Sequence, residues 1–127
     1  MKLLPFFLSC LIPVSMAFAA DTPAPPAMKH YLVVLKPVPR LHDPKAWTEK
    51  DNAAVGAHFS RLKTAVAEGK VLLAGRTEEP LDQTIGLVIF KAADEAAARE
   101  FMNADPCVVT GVMTATLHPY GLALIAK

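Results

Sequence analysis

The sequence has few of the residues that build cysteine-based or strongly charged sites. Two cysteines among 127 residues exclude a zinc site built on cysteines. The sequence also lacks an excess of one charge sign, because its 13 Lys and Arg residues nearly balance its 12 Asp and Glu residues. A nearly neutral chain gives no electrostatic reason to bind nucleic acid or an anionic membrane. A glycine-rich phosphate loop and repeats of fixed period are absent as well. We therefore expect neither nucleic acid nor a membrane surface as a partner.

Residues 1–19 have the pattern of a secretory signal peptide. Lys2 supplies the positive start, a long uncharged apolar run follows, and Ala17 and Ala19 place small side chains where cleavage requires them. The alternative is an uncleaved anchor, because the run approaches the ~20 residues of a membrane helix, although prolines interrupt it. We expect cleavage after Ala19 and export to the periplasm or the medium, with no membrane attachment afterwards.

Cleavage would change the composition of the mature chain. It would remove Lys2 and Cys10, which leaves equal numbers of basic and acidic residues and Cys107 as the single cysteine. An internal disulfide is then impossible, and a lone thiol in an oxidising compartment is usually buried or paired between chains. Because Cys107 begins an apolar run with Val108 and Val109, we expect it to be buried.

The hydrophobic pattern predicts one α+β domain over residues 29–127. Residues 20–28 carry three prolines and little apolar bulk, which predicts an extended, flexible tether. Periodicity, caps and turn residues then predict strands at 30–36, 71–74, 84–90 and 112–118, helices at 48–69 and 94–103, and a helical turn from 105. This order is the ferredoxin-like βαββαβ sandwich. Both helices would cover one sheet face, so we expect a homodimer to cover the other.

The first helix is the clearest element in the pattern. Thr48 is a typical N-cap and Gly69 a typical stop. Three- and four-residue spacings predict one apolar stripe that also contains a histidine: Val55, His58, Phe59, Leu62, Ala65 and Val66.

Several short motifs together resemble the YCII-related family. They are Ala57–Leu62, Glu68–Gly75, Asn103–Pro106, Gly111–Val112 and Pro119–Tyr120, and the resemblance runs from about Lys29 to Ile125. It implies a dimeric α+β barrel fold with a pocket in each subunit. The family's suspected histidine–aspartate active site would correspond to His58 and Asp105, and one relative is a dehydrochlorinase of a chlorinated hydroxyhydroquinone. Typical members are leaderless and cytoplasmic, and they lack the longer segment at 37–47.

His58 and Asp105 are the candidate catalytic residues. An imidazole titrates near neutrality, and a carboxylate bonded to one ring nitrogen fixes the tautomer and makes the other nitrogen a better base. The structural alternatives are a core histidine for His58 and a helix N-cap for Asp105, since Asp followed by Pro is a frequent helix start.

Four further residues are candidates for substrate binding. Thr116 and His118 could meet a ligand on the inner sheet face or be solvated strand residues. Arg76 could hold an anion or be exposed in a hairpin, and Tyr31 could offer its hydroxyl or pack in the core. The loop around His42 is expected to be a turn, with a mobile lid as the alternative. No histidine pair shows metal-ligand spacing, so we expect no metal.

Two functions fit these observations. The first is a lyase, isomerase or hydrolase that acts on a small aromatic or anionic substrate through His58 and Asp105 without a cofactor. The second is a non-catalytic dimer that binds a small molecule between its sheets.

Overall fold

The computed structural model describes residues 22–127, and the predicted leader lies outside this range. Residues 22–28, which cover most of the predicted tether, are exposed and form neither helix nor strand. Within 22–127, no helix is long and apolar enough to span a bilayer.

The described residues form a four-stranded sheet and three α-helices. The elements are β1 (Lys29–Pro37), α1 (Glu49–Ala67), β2 (Val71–Arg76), β3 (Gly86–Ala92), α2 (Glu95–Asn103), α3 (Pro106–Val109) and β4 (Met113–Tyr120). The sheet order is β2-β3-β1-β4, and all neighbouring strands are antiparallel. This is the α+β, ferredoxin-like arrangement predicted from the sequence.

Helix α1 lies within the predicted range 48–69, between the predicted cap Thr48 and the predicted stop Gly69. The Thr48 hydroxyl accepts the Asp51 backbone N–H at 3.3 Å, and the Asp51 carboxylate accepts the Thr48 N–H at 2.9 Å. This reciprocal capping box satisfies two free donors of the first turn. Gly69, with φ +70°, ends the helix in the left-handed conformation that glycine adopts without strain.

The buried side of α1 is narrower than the predicted apolar stripe. Leu62 and Ala65 are buried, but Phe59 is 67 % exposed and Val66 is 49 % exposed. Phe59 and Val66 share the predicted stripe by their spacing, but the structure leaves both side chains largely in solvent. The strands and α3 cover two sides of α1, and the part of the stripe that carries Phe59 and Val66 remains in solvent.

The main core lies between the helices and one face of the sheet. It joins side chains of β1 and β3 to side chains of α1 and α2, among them Val33, Leu35, Phe90, Leu62 and Met102. A second cluster of Leu41, Ala54, Cys107 and Val112 packs where α1 meets α3. This second cluster fixes the position of α3 against α1, which matters for the site below.

The other sheet face, which we call the open face, carries a mixed surface. Its apolar residues are Leu32, Val34, Leu73, Leu87 and Ile89, and β4 adds Thr114, Thr116 and His118. The register pairs Leu32 with Ile89 on one side and His118 on the other. Leu73, opposite Ile89, is 52 % exposed. The described helices pack on the opposite side, so a large apolar area of this face meets solvent in a single chain.

The segment at 37–47 is fixed to α1. It contains two short 3-10 turns, Pro39–His42 and Pro44–Ala46. The Arg40 guanidinium donates to both carboxylate oxygens of Asp51, at 2.7 and 3.0 Å. Hydrogen bonds from Arg40 and Thr48 hold the pKa of the Asp51 carboxyl well below its usual range. His42 Nε2 lies 3.2 Å from the Pro37 carbonyl oxygen. These contacts agree with the predicted turn rather than with a lid.

Candidate acid–base site

His58 and Asp105 meet between α1 and the start of α3. His58 projects from α1, and Nδ1 of its ring lies 2.7 Å from Oδ2 of Asp105. Asp105 is also the N-cap of α3, because its Oδ1 accepts the Cys107 backbone N–H at 2.9 Å. The cap and the histidine contact therefore use different oxygens of one carboxylate. Pro106, at the first position of α3, helps to set this backbone geometry.

The carboxylate sets which nitrogen of His58 is available for chemistry. In the neutral ring, the Nδ1–H group donates a hydrogen bond to Asp105. The free lone pair of the ring is then on Nε2. Nε2 has no hydrogen-bond partner in the described part of the chain, where every buried side-chain nitrogen or oxygen has one. Nε2 therefore reaches the surface, in agreement with the 14 % exposure of the His58 side chain.

Asp105 stays ionised although it is 95 % buried, with 5 % of its surface exposed. Burial raises the pKa of its carboxyl, but the hydrogen bond and charge of His58, the Cys107 N–H and the Arg61 charge together outweigh burial. The pKa of Asp105 consequently lies below its ordinary value. An ionised carboxylate is the form that can orient His58 and stabilise an imidazolium.

Arg61 is a third member of the site that the sequence reasoning missed. Its Nη1 lies 3.7 Å from Asp105 Oδ2, and its Nη2 donates to the Phe101 carbonyl oxygen at 2.7 Å. The guanidinium carbon lies 4.1 Å from the centroid of the Phe101 ring. The available signal was spacing, because Arg61 follows His58 by three residues and so shares its side of the helix.

Cys107 lies next to the dyad, but its thiol is buried and is not a nucleophile. It is fully buried, and burial raises the pKa of its thiol to about 12. The Cys107 sulfur, His58 nitrogen and Asp105 oxygen all lie within 4.8 Å of one another, a set that could ligate a metal. A metal ion would, however, have to break the 2.7 Å His58–Asp105 bond and deprotonate that thiol. The arrangement is better suited to proton transfer.

A small cavity lies behind Asp105. Its volume is about 10 Å³, and Arg61 and Phe101 line it together with apolar side chains of the sheet. That space is about enough for one water molecule. A ligand of aromatic size is too large for this cavity.

A family model for the YCII-related domain matches residues 30–117, which is more than half of the chain. The chain belongs to the YCII-related family. Among solved structures, the fold is similar to 5-chloro-2-hydroxyhydroquinone dehydrochlorinase from Burkholderia phenoliruptrix AC1100, in its complex with 2,5-dihydroxybenzoquinone. The TM-score is 0.51 at 15 % identity, over 74 % of this chain and 95 % of that one. A search of curated proteins returned no match. The family model confirms the predicted family, and the structural similarity confirms the predicted fold.

In this YCII-related domain, the four predicted substrate-binding residues lie apart from the dyad. Thr116 and His118 are exposed on the open face, and Arg76 is exposed at the end of β2. Tyr31 is 4 % exposed in the core, with its ring 6.1 Å from that of Phe90. Of the six predicted site residues, only His58 and Asp105 contact each other within the chain.

Proposed function

We propose that this YCII-related protein is an acid–base enzyme of lyase type that acts on a small aromatic substrate. The observation that carries the proposal is the 2.7 Å hydrogen bond between His58 and Asp105, which leaves Nε2 at the surface. Support also comes from the similarly folded dehydrochlorinase, which acts on a hydroxylated, chlorinated ring. His58 is the base in this proposal, and Asp105 orients it.

The chemistry needs only a proton acceptor and a leaving group. Nε2 takes a proton from a substrate hydroxyl or carbon, and the electron pair of the broken bond forms a new π bond. The leaving group departs with its own bonding pair. Asp105 stabilises the imidazolium, which then passes its proton to the leaving group or to water. The sum is loss of H–X, with no electron supplied by the protein. An isomerase or hydrolase would use the same two residues, with the proton returned elsewhere.

The test is turnover of chlorinated hydroxyhydroquinones, beginning with 5-chloro-2-hydroxyhydroquinone and followed by chloride release. We expect His58→Asn to lower the rate by at least about 100-fold, the contribution of a general base. His42→Asn is the matched control, because among the described residues the His42 side chain hydrogen-bonds to the Pro37 carbonyl and not to the dyad. Full turnover by His58→Asn would contradict the proposed role of the histidine.

A second candidate function is non-catalytic binding of a small molecule. The open face favours it, because Thr116 and His118 place polar groups beside Leu32 and Val34, a combination common in ligand sites. This function requires saturable binding with the ligand recovered intact after long incubation. Chemically altered ligand would exclude it.

We further propose that two copies stack through their open faces and that the protein is exported. Stacking would remove the exposed Leu73 and its apolar neighbours from water. Sedimentation at micromolar concentration should give a dimer, and Ile89→Asp on the open face should give a monomer.

Export is tested separately, by N-terminal sequencing of protein from the periplasm or the medium. The sequence should begin at Ala20; a start at Met1 would contradict the leader.

A further inference from the structure

Arg61 stands beside the dyad in a fixed position and has hydrogen-bond donors to spare. We propose that Arg61 binds substrate and that the substrate class is anionic: a small aromatic or enolic compound whose ionised oxygen rests on the guanidinium while a neighbouring group faces His58. The inference deepens the proposed function and rests on it.

Contacts from α2 hold Arg61 in place. Its Nη2 donates to the Phe101 carbonyl at 2.7 Å, in the last turn of α2, where carbonyls lack helical partners. The guanidinium also stacks on the Phe101 ring at 4.1 Å, and Lys70 Nζ lies 4.2 Å from the same ring centroid. A guanidinium held by a stack and a carbonyl is already oriented before a ligand arrives, so binding costs little side-chain entropy.

Most donors of Arg61 remain uncommitted. A guanidinium carries five N–H groups, and the contact with Phe101 uses one of them. Nη1 lies 3.7 Å from Asp105 Oδ2, which is beyond hydrogen-bond distance. Asp105 has no need of Arg61 as a donor, because its oxygens already accept from His58 and from the Cys107 N–H. The Arg61 side chain is 25 % exposed, against 7 % for Asp105, so its remaining donors can meet a ligand.

An anionic substrate at this site needs a positive charge that balances the negative charge of Asp105. Asp105 is ionised and close to Nε2, so by itself it would repel an anion approaching His58. The Arg61 guanidinium lies 3.7 Å from this carboxylate, is partly exposed and compensates for that repulsion. An oxyanion on its free donors would lie beside the His58–Asp105 pair. Phenols and enols, whose oxygens ionise readily, match this need better than neutral rings.

Binding of two probes to the protein tests the inference. The anionic probe is 2,5-dihydroxybenzoquinone, and the neutral probe is hydroquinone. Arg61→Gln should weaken binding of the anion at least about tenfold, the effect of losing one charged hydrogen bond, and leave hydroquinone binding unchanged. Arg61→Lys should fall between the two. Arg99→Gln is the control, since Arg99 forms an exposed pair with Glu95 on α2.

Equal affinity of wild type for both probes, or no binding of the anion at all, would overturn the inference. Unchanged anion binding by a folded Arg61→Gln would do the same. If Arg61→Gln fails to fold, the salt dependence of wild-type binding decides: anion affinity that falls with ionic strength supports the inference, and salt-independent affinity overturns it. His58→Asn separates the two proposals, because it should lower turnover at least about 100-fold while anion binding through Arg61 persists.

Discussion

Replacing Asp105 with Asn tests the dyad by changing one atom. Asn keeps a carbonyl oxygen that can accept the Cys107 N–H, so the α3 cap survives. Its amide nitrogen would then face His58 Nδ1 and donate to it, where the carboxylate oxygen had accepted at 2.7 Å. The ring must respond by moving its proton to Nε2. Asp105→Asn therefore turns the proposed base into a donor while the local backbone stays in place.

The expected losses differ sharply in size. When an amide replaces the carboxylate that orients a catalytic histidine, rates fall about 10⁴-fold, which corresponds to about 5.5 kcal/mol of activation free energy. Stability should fall much less, by at most about 1.5–3 kcal/mol for the lost charged hydrogen bond, because the neutral amide is also cheaper to bury. Activity and folding should therefore separate in this variant.

Two measurements check this expectation. Long-range proton–nitrogen correlation spectra report the tautomer of His58 without any substrate, and urea unfolding reports stability. Asp94→Asn is the matched control, because Asp94 caps α2 through the Ala97 N–H at 2.8 Å and touches no histidine. If Asp105→Asn kept the proton of His58 on Nδ1, or kept wild-type turnover, the reasoning about the dyad would fail.

Three further predictions concern stability and reactivity. The pKa of Asp51 is lowered in the folded protein, so the contact of Asp51 with Arg40 stabilises the fold above the ordinary carboxyl pKa, and this stabilisation is lost on acidification. Asp51→Asn should therefore unfold at lower urea concentration at pH 7, and its stability should change less from pH 6 to pH 3 than that of wild type. Glu95→Gln, which removes an exposed ion pair, is the control and should follow wild type. Phe90 is fully buried, so Phe90→Ala should lower the free energy of unfolding by about 3–5 kcal/mol. A loss below about 1 kcal/mol in urea unfolding would show that this core is poorly packed. Cys107 should resist iodoacetamide in the folded leaderless protein and react once urea unfolds it, because a buried thiol with a raised pKa is not a nucleophile; rapid labelling of the native state would contradict this.

The sequence was sufficient for the order of elements because its local signals agree with the fold. Thr48 and Gly69 bound α1 through chemistry that acts within a few residues. The width of a buried stripe is different, since it depends on how many neighbours a helix has. Phe59 and Val66 illustrate this: spacing gives the direction of their side chains, but only the packing of α1 against its neighbours decides whether that direction is covered.

Within the site, the sequence predicted the pair but not its surroundings. The family resemblance placed His58 and Asp105, and their 2.7 Å contact accords with the dyad. Arg61 was missed because its charge looked like ordinary solvated surface, and its partner is a carbonyl on α2 that no spacing rule reaches. The predicted contributions of Thr116 and His118 concern the open face, on which both residues are exposed and separate from the dyad.

The 47-residue separation of His58 and Asp105 has a consequence for how this domain can be divided. The exposed loop at 78–83 lies between β2 and β3 and separates the chain into two pieces of similar architecture. The first piece carries His58 and the second carries Asp105. A cut in this loop would leave each fragment with one residue of the His58–Asp105 pair, so recovery of the contact between them would signal that the fragments have reassembled. The domain is thus a natural starting point for a fragment-complementation reporter.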